Sequence, residues 1–84
     1  MHFEIVDVDG TWEEVNDELQ RAYSLHGPMR STHEAYGILA EEMAEFFDEV
    51  RSNNLERAIA EATQVAASAV RFIMDAKEWQ KQSI

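Results

Sequence analysis

The sequence predicts an all-α protein with three helices per chain, which assemble into a four-helix-type bundle through oligomerisation. Two observations set the class. Three segments carry apolar residues at helical intervals, and the breaks between them, His26-Gly27-Pro28 and Asn53-Asn54, are helix stops. A third observation sets the assembly. A chain of 84 residues buries only ~60% of the surface its unfolded form exposes, and with no cysteine it has neither a disulfide framework nor a thiolate metal site. Stability must then come from close helix packing or from self-association, as a homodimer or homotetramer.

The first helix is expected to start at Thr11, with Glu14 three residues on as the partner of a capping box. Its apolar stripe is Trp12, Val15, Leu19 and Ala22 with Tyr23 alongside, and it ends where Gly27 supplies a cap and Pro28 cannot continue the helix. Ser31 and Glu34 form a second capping box and open a helix that runs to about Ser52. The third helix begins near Leu55 and meets no Pro or Gly, so it extends for ~25 residues and frays after Trp79. Residues 1–10 alternate apolar and polar side chains too weakly for a strand: Phe3 and Ile5 set one phase, and Val6 and Val8 take up the other. They are expected to form an extended arm on a single domain spanning 1–84.

Charge narrows the partners. A formal −10, from 17 acidic against 7 scattered basic residues, argues against a nucleic-acid duplex or an anionic membrane surface. No apolar run approaches the ~20 residues of a membrane span, and MHFEIVDVDG lacks the features of a signal peptide, so a soluble, cytoplasmic protein is expected. A phosphorylated small molecule remains compatible, because a divalent cation held by carboxylates supplies positive charge.

The carboxylates of the second helix carry the chemistry. At about 100° per residue, Ala35, Leu39, Met43, Phe46 and Val50 form one apolar arc. Glu42 and Glu49 fall beside that arc, Glu45 lies a little further round, and Glu41 and Asp48 point away. Glu42 and Glu45, spaced i, i+3, repel each other by a few tenths of a kcal/mol, roughly, in an isolated helix. The third helix carries an alanine-rich arc: Leu55, Ala58, Ile59, Ala62, Val65, Ala66, Ala69, Phe72, Ile73 and Ala76. Glu61 sits at its rim, and Gln64, Ser68 and Asp75 continue a polar strip. Antiparallel packing of the two helices, favoured by the short Asn-Asn connection, would bring Glu61 level with Glu42 and Glu45. Such an oxygen set suits a hard cation such as Mg²⁺, while a solvated acidic face is the plainer use of the same residues.

THEAYGILAEEMAEFFDEV followed by ERAIAEATQVAASAVRFIMDA resembles the MazG-like all-α nucleoside triphosphate pyrophosphohydrolases, especially their short phage and mobile-element members. The resemblance covers about Ser31 to Ala76. Glu41, Glu42 and Glu45 match the family's Glu-Glu-x-x-Glu, and Glu61 matches the first residue of its Glu-x-x-Asp, with Gln64 where Asp is expected. What the resemblance implies is a Mg²⁺ (or Mn²⁺) site formed by Glu42, Glu45 and Glu61, with Glu41 as alternate ligand and Gln64 as a weaker one. The implied reaction cleaves a nucleoside triphosphate to the monophosphate and pyrophosphate, with Glu42, Glu45 and Glu61 as the catalytic set. Gln64 brings no negative charge, so a second cation would be held less tightly. The rival expectation is a non-catalytic helical oligomer: an interaction module, or a MazG-like protein whose catalysis has decayed.

His33, Arg71 and Trp79 are candidates for substrate binding: a phosphate contact or proton shuttle, a bidentate phosphate partner and a base-stacking ring. Arg51 and Arg57 are similar phosphate candidates, and for each of the three arginines a solvated surface position is the commoner use. Trp12 and Tyr36 are further candidate base-stacking rings; for these two and Trp79 core or subunit packing is the commoner use, and Tyr36 and Phe47 are expected to be covered by another subunit. His2 and His26 belong to no zinc-binding pattern.

Overall fold

A computed structural model describes residues 3–82, and among them the regular structure is wholly helical. Helix α1 is Val8–His26, α2 is Thr32–Arg51 and α3 is Leu55–Gln82. His2, and with it the first two residues of the expected arm, lies outside the described residues.

The start of α1 corrects the expected one. Thr11 is inside the first turn, where its hydroxyl donates to the Asp7 carbonyl at 2.7 Å instead of capping a free N–H. Asp7 takes the N-cap place in a left-handed conformation, with φ of 52°. Its carboxylate folds over the turn so closely that a Cβ on Gly10 would stand 2.5 Å from Oδ1. Residues 8–10 are therefore helical, and the arm shortens to what precedes Asp7.

The other boundaries follow their sequence signals. The Ser31 hydroxyl accepts from the Glu34 N–H at 3.0 Å. At the far end of α2, Asn53 adopts φ of 57°, and the N–H groups of Asn54 and Asn53 donate to the carbonyls of Glu49 and Val50, each at 3.1 Å. This is a Schellman closure with Asn where Gly is usual. Asn54 then caps α3, its Oδ1 accepting from the Arg57 N–H at 3.1 Å. Two asparagines thus end one helix and begin the next. At 28 residues, α3 runs past Trp79 to Gln82 without the early fraying expected.

Both α1 and α2 pack on α3 and not on each other. Neighbouring pairs Glu49 with Arg57 and Glu45 with Glu61 make α2 antiparallel to α3. The start of α1 lies beside Ile59 and Thr63 and its end beside Asp75, so α1 runs parallel to α3. The result is an open V with α3 as its floor. Its radius of gyration is 14.6 Å, against about 12 Å for a compact domain of this length.

Buried positions on α3 depart from the expected inside and outside. Ala67, Ser68, Arg71 and Asp75 are its buried residues. Within the alanine-rich arc, Ile59 is 55% and Ile73 50% exposed, and Leu55 more so. The polar strip holds the most buried residues of α3; the arc is divided, with Ala66 against the core and Leu55, Ile59 and Ile73 exposed. A small core remains, formed by Val15, Leu19 and Ala67 with Tyr23, Ala66 and Val70 around it. Trp12, expected in the buried stripe of α1, is 60% exposed. Tyr36, Met43, Phe47 and Val50 of α2 are exposed as well.

Asp75 ties the three elements together. Buried on α3, it accepts from the Tyr23 hydroxyl at 2.6 Å and from the Met29 backbone N–H at 2.8 Å. Burial, and then the hydrogen bond to Asp75, push the Tyr23 phenol up to about 12. Met29 is almost fully enclosed, directly after the Gly27 turn that releases α1.

Candidate functional site

Between α1 and α2, above α3, lies a cleft of about 430 Å³, within the range of small-molecule sites. Glu18 and Arg21 of α1, Glu34, Ile38 and Glu42 of α2, and Gln64, Ser68 and Arg71 of α3 are on its walls, with His26 and Arg30 at the end where α1 passes into α2.

Glu42 reaches this cleft because it sits beside the apolar arc of α2. Glu45 is one turn further along α2 and exposed; Glu61 is level with it on α3. Antiparallel packing therefore brings Glu42, Glu45 and Glu61 to one stretch of the α2–α3 seam. Two of their oxygens, Glu42 Oε1 and Glu61 Oε2, are shielded from water and have no hydrogen-bond partner. Burial raises the Glu42 carboxyl above its ordinary value. The charges of Glu45 and Glu18 raise it further, and the Ser68 hydroxyl and Arg71 offset part of the rise. For Glu61, burial is again first; the charge and close approach of Glu45 come next, followed by the charges of Glu49 and Glu42.

This arrangement stores repulsion that a cation or a proton relieves. Fit to a hard divalent cation is good in chemistry, with carboxylate oxygens that lack partners on two helices. In geometry the set is open: among the described residues no three His, Asp or Glu side chains already surround one point. Glu45, exposed at the rim, is the member with room to swing inward. Gln64 faces the cleft one turn beyond Glu61 and adds an amide oxygen. Glu41 is exposed on the outer side of α2.

The substrate candidates separate. Arg71 is buried and on the cleft wall. His33 is exposed in the first turn of α2 and does not line the cleft. Trp79 packs edge-on against Phe72, ring centroids 6.1 Å apart, two turns beyond Arg71. Arg51 and Arg57 are engaged at the outer end with Asp48 and Glu49, each at 3.8 Å. Sequence reasoning missed Glu18, His26 and Arg30. Glu18 was within reach of the rule that selected Glu42, since it too borders an apolar stripe; His26 and Arg30 flank a turn and carry no periodic signal.

A pH effect follows from the two raised carboxyls. Both bind protons more tightly folded than unfolded, so ionising them opposes folding at neutral pH. The penalty is relieved as pH falls through their folded values, which lie above 4.5. Thermal melts without divalent metal should show a higher melting temperature at about pH 5.5 than at about pH 7.5. A flat or opposite dependence would mean that water already solvates these groups.

No protein-family model matches the chain, and comparison with curated proteins and with solved structures returns no significant similarity.

Proposed function

We propose that this chain is a Mg²⁺-dependent nucleotide pyrophosphohydrolase that cleaves a nucleoside triphosphate to the monophosphate and pyrophosphate. The observation that carries the reading is the pair of shielded, partnerless oxygens on Glu42 and Glu61, one on each side of the α2–α3 seam and next to a cleft of ligand size. Glu42, Glu45 and Glu61 would hold the cation, with Gln64 and Glu41 as weaker or alternate ligands. Once bound, Mg²⁺ (or Mn²⁺) neutralises phosphate charge and lowers the pKa of the attacking water. The chain's own contribution is to fix two carboxylates on rigid helices and to leave one oxygen of each without a donor, so that its lone pairs are available.

Assembly belongs to the same reading. The chain exposes 6680 Å², against about 5,100 Å² for a compact monomer of its mass. That excess, about 1,600 Å², is twice the ~800 Å² that each partner buries in a standard interface. Part of it is apolar helix surface on α2 and α3, where Met43, Val50, Leu55, Ile59 and Ile73 are exposed with Tyr36 and Phe47 beside them. A second copy of this chain is the occupant, giving a homodimer or homotetramer with a helical-bundle core, most simply in the cytoplasm.

The open ligand geometry and Gln64 favour one rival, a non-catalytic helical oligomer of the same architecture. Melting with and without millimolar Mg²⁺, together with pyrophosphate release from a panel of standard and modified nucleoside triphosphates, separates the two. The enzyme reading expects a raised melting temperature and release from at least one nucleotide. No shift and no release would leave the rival.

A further inference from the structure

Three of the seven Lys and Arg residues, Arg21, Arg30 and Arg71, line the same cleft in a strongly acidic chain. They are not equivalent. Arg21 is forked onto Glu18, its Nε at 3.0 Å from Oε2. Arg71 is only 3% exposed, and its Nε has no hydrogen-bond partner. Among the described residues no carboxylate forms an ion pair with it; the Tyr23 ring lies 6.0 Å from the guanidinium carbon, and the Glu42 carboxylate feels its charge from further off. Asp75, one turn along α3, has one oxygen taken by the Tyr23 hydroxyl and the other by the Met29 N–H.

A buried guanidinium with no carboxylate in ion-pair contact is costly, and Arg does not escape the cost by losing its proton. We propose that Arg71, together with Arg30 and His26, is a binding site for a phosphoryl group at the end of the cleft where α1 passes into α2. The first turn of α2 lies at the same end and presents its positive pole there. Planar, always charged and multiply donating, the guanidinium matches phosphoryl oxygens better than any other side chain. Glu34, in that same first turn, opposes an anion, while Glu18 is paired with Arg21.

Register gives the site its place in the reaction. With α2 and α3 antiparallel, Arg71 falls opposite Ala35, seven residues from Glu42, or roughly 10 Å at about 1.5 Å per residue. The carboxylates at one end and Arg71 at the other form a bipolar trough suited to a polyphosphate chain that carries cation at one end and bare oxygens at the other. That the phosphoryl group belongs to a nucleotide rests on the function proposed above; the anion site itself does not.

Calorimetric titration of the full chain with inorganic pyrophosphate, with divalent cations removed by chelator, tests it. Saturable binding is expected, weakened roughly tenfold or more by Arg71→Gln and by a smaller factor by Arg30→Gln. Arg57→Gln, at the outer end, should bind as the parent does. The melting temperature of Arg71→Gln in the absence of anion should hold or rise, because an unpaired buried charge has been removed; a purely structural arginine would lower it. Should Arg71→Gln not fold, Arg30→Gln decides. Unchanged pyrophosphate binding in the Arg30 and Arg71 variants, or no binding by the parent chain, overturns the proposal. Glu42→Gln separates it from the function: metal-free binding retained there, with hydrolysis absent from the parent chain as well, removes the enzyme and leaves the anion site standing.

Discussion

Glu42→Gln should make the metal-free protein more stable at neutral pH and at the same time remove its response to Mg²⁺. Glu42 has a shielded oxygen without a partner and two carboxylates close enough to raise its proton affinity. Replacing it with an isosteric amide ends the repulsion with Glu45 at i+3, worth a few tenths of a kcal/mol, or roughly 2–4 °C for a domain of this size. Under the proposed function the same change removes a metal ligand. Even outer-shell partners of a metal are worth about 10–100-fold in affinity or activity, so hydrolysis should fall by more than ~100-fold and the metal-induced shift should vanish. Melting curves on both proteins, with and without Mg²⁺, give all the signs needed. A variant that keeps the full shift would place the cation elsewhere. One that is less stable without metal would show that Glu42 is already well partnered.

The largest loss of stability should come from Asp75→Ala. This carboxylate accepts from Tyr23 and from the backbone of Met29, joining the end of α1 and the α1–α2 connection to the centre of α3. Hydrogen bonds to a charged group are worth about 1.5–3 kcal/mol each, and both donors would be left without an acceptor. A loss of about 3–5 kcal/mol follows, a large share of the ~5–15 kcal/mol that holds a typical domain together. Asp75→Asn retains one acceptor oxygen and should lose about half as much. Urea unfolding measures both. A cost below about 1 kcal/mol for Asp75→Ala would mean that α1 is held by the Val15–Leu19–Ala67 core instead.

Helix content and the α2–α3 register were open to sequence reasoning because their signals are local. Ser31 with Glu34 and Asn53 with Asn54 act through hydrogen bonds within a few residues, and the structure shows those bonds. The same short connection makes the two helices antiparallel, which brings Glu61 level with Glu45. Thr11 misled because a hydroxyl in a first turn can cap an N–H or return to the carbonyl four residues back, and residue type does not distinguish these uses. The arc of α3 misled for a different reason. A helical wheel separates faces but does not say which one meets the rest of the same chain.

The sequence by itself determined three helices, the breaks between them, and glutamates on facing sides of one seam, since capping, periodicity and loop length are properties of short segments. Only the tertiary structure decided that α3 buries Ser68, Arg71 and Asp75 and leaves Leu55, Ile59 and Ile73 of its apolar arc exposed. That choice depends on where α1 lands, and α1 is placed by Asp75 reaching Tyr23 across 52 residues of chain. The cleft, the buried charge of Arg71 within it, and the large apolar surface left outside it all follow from that one placement.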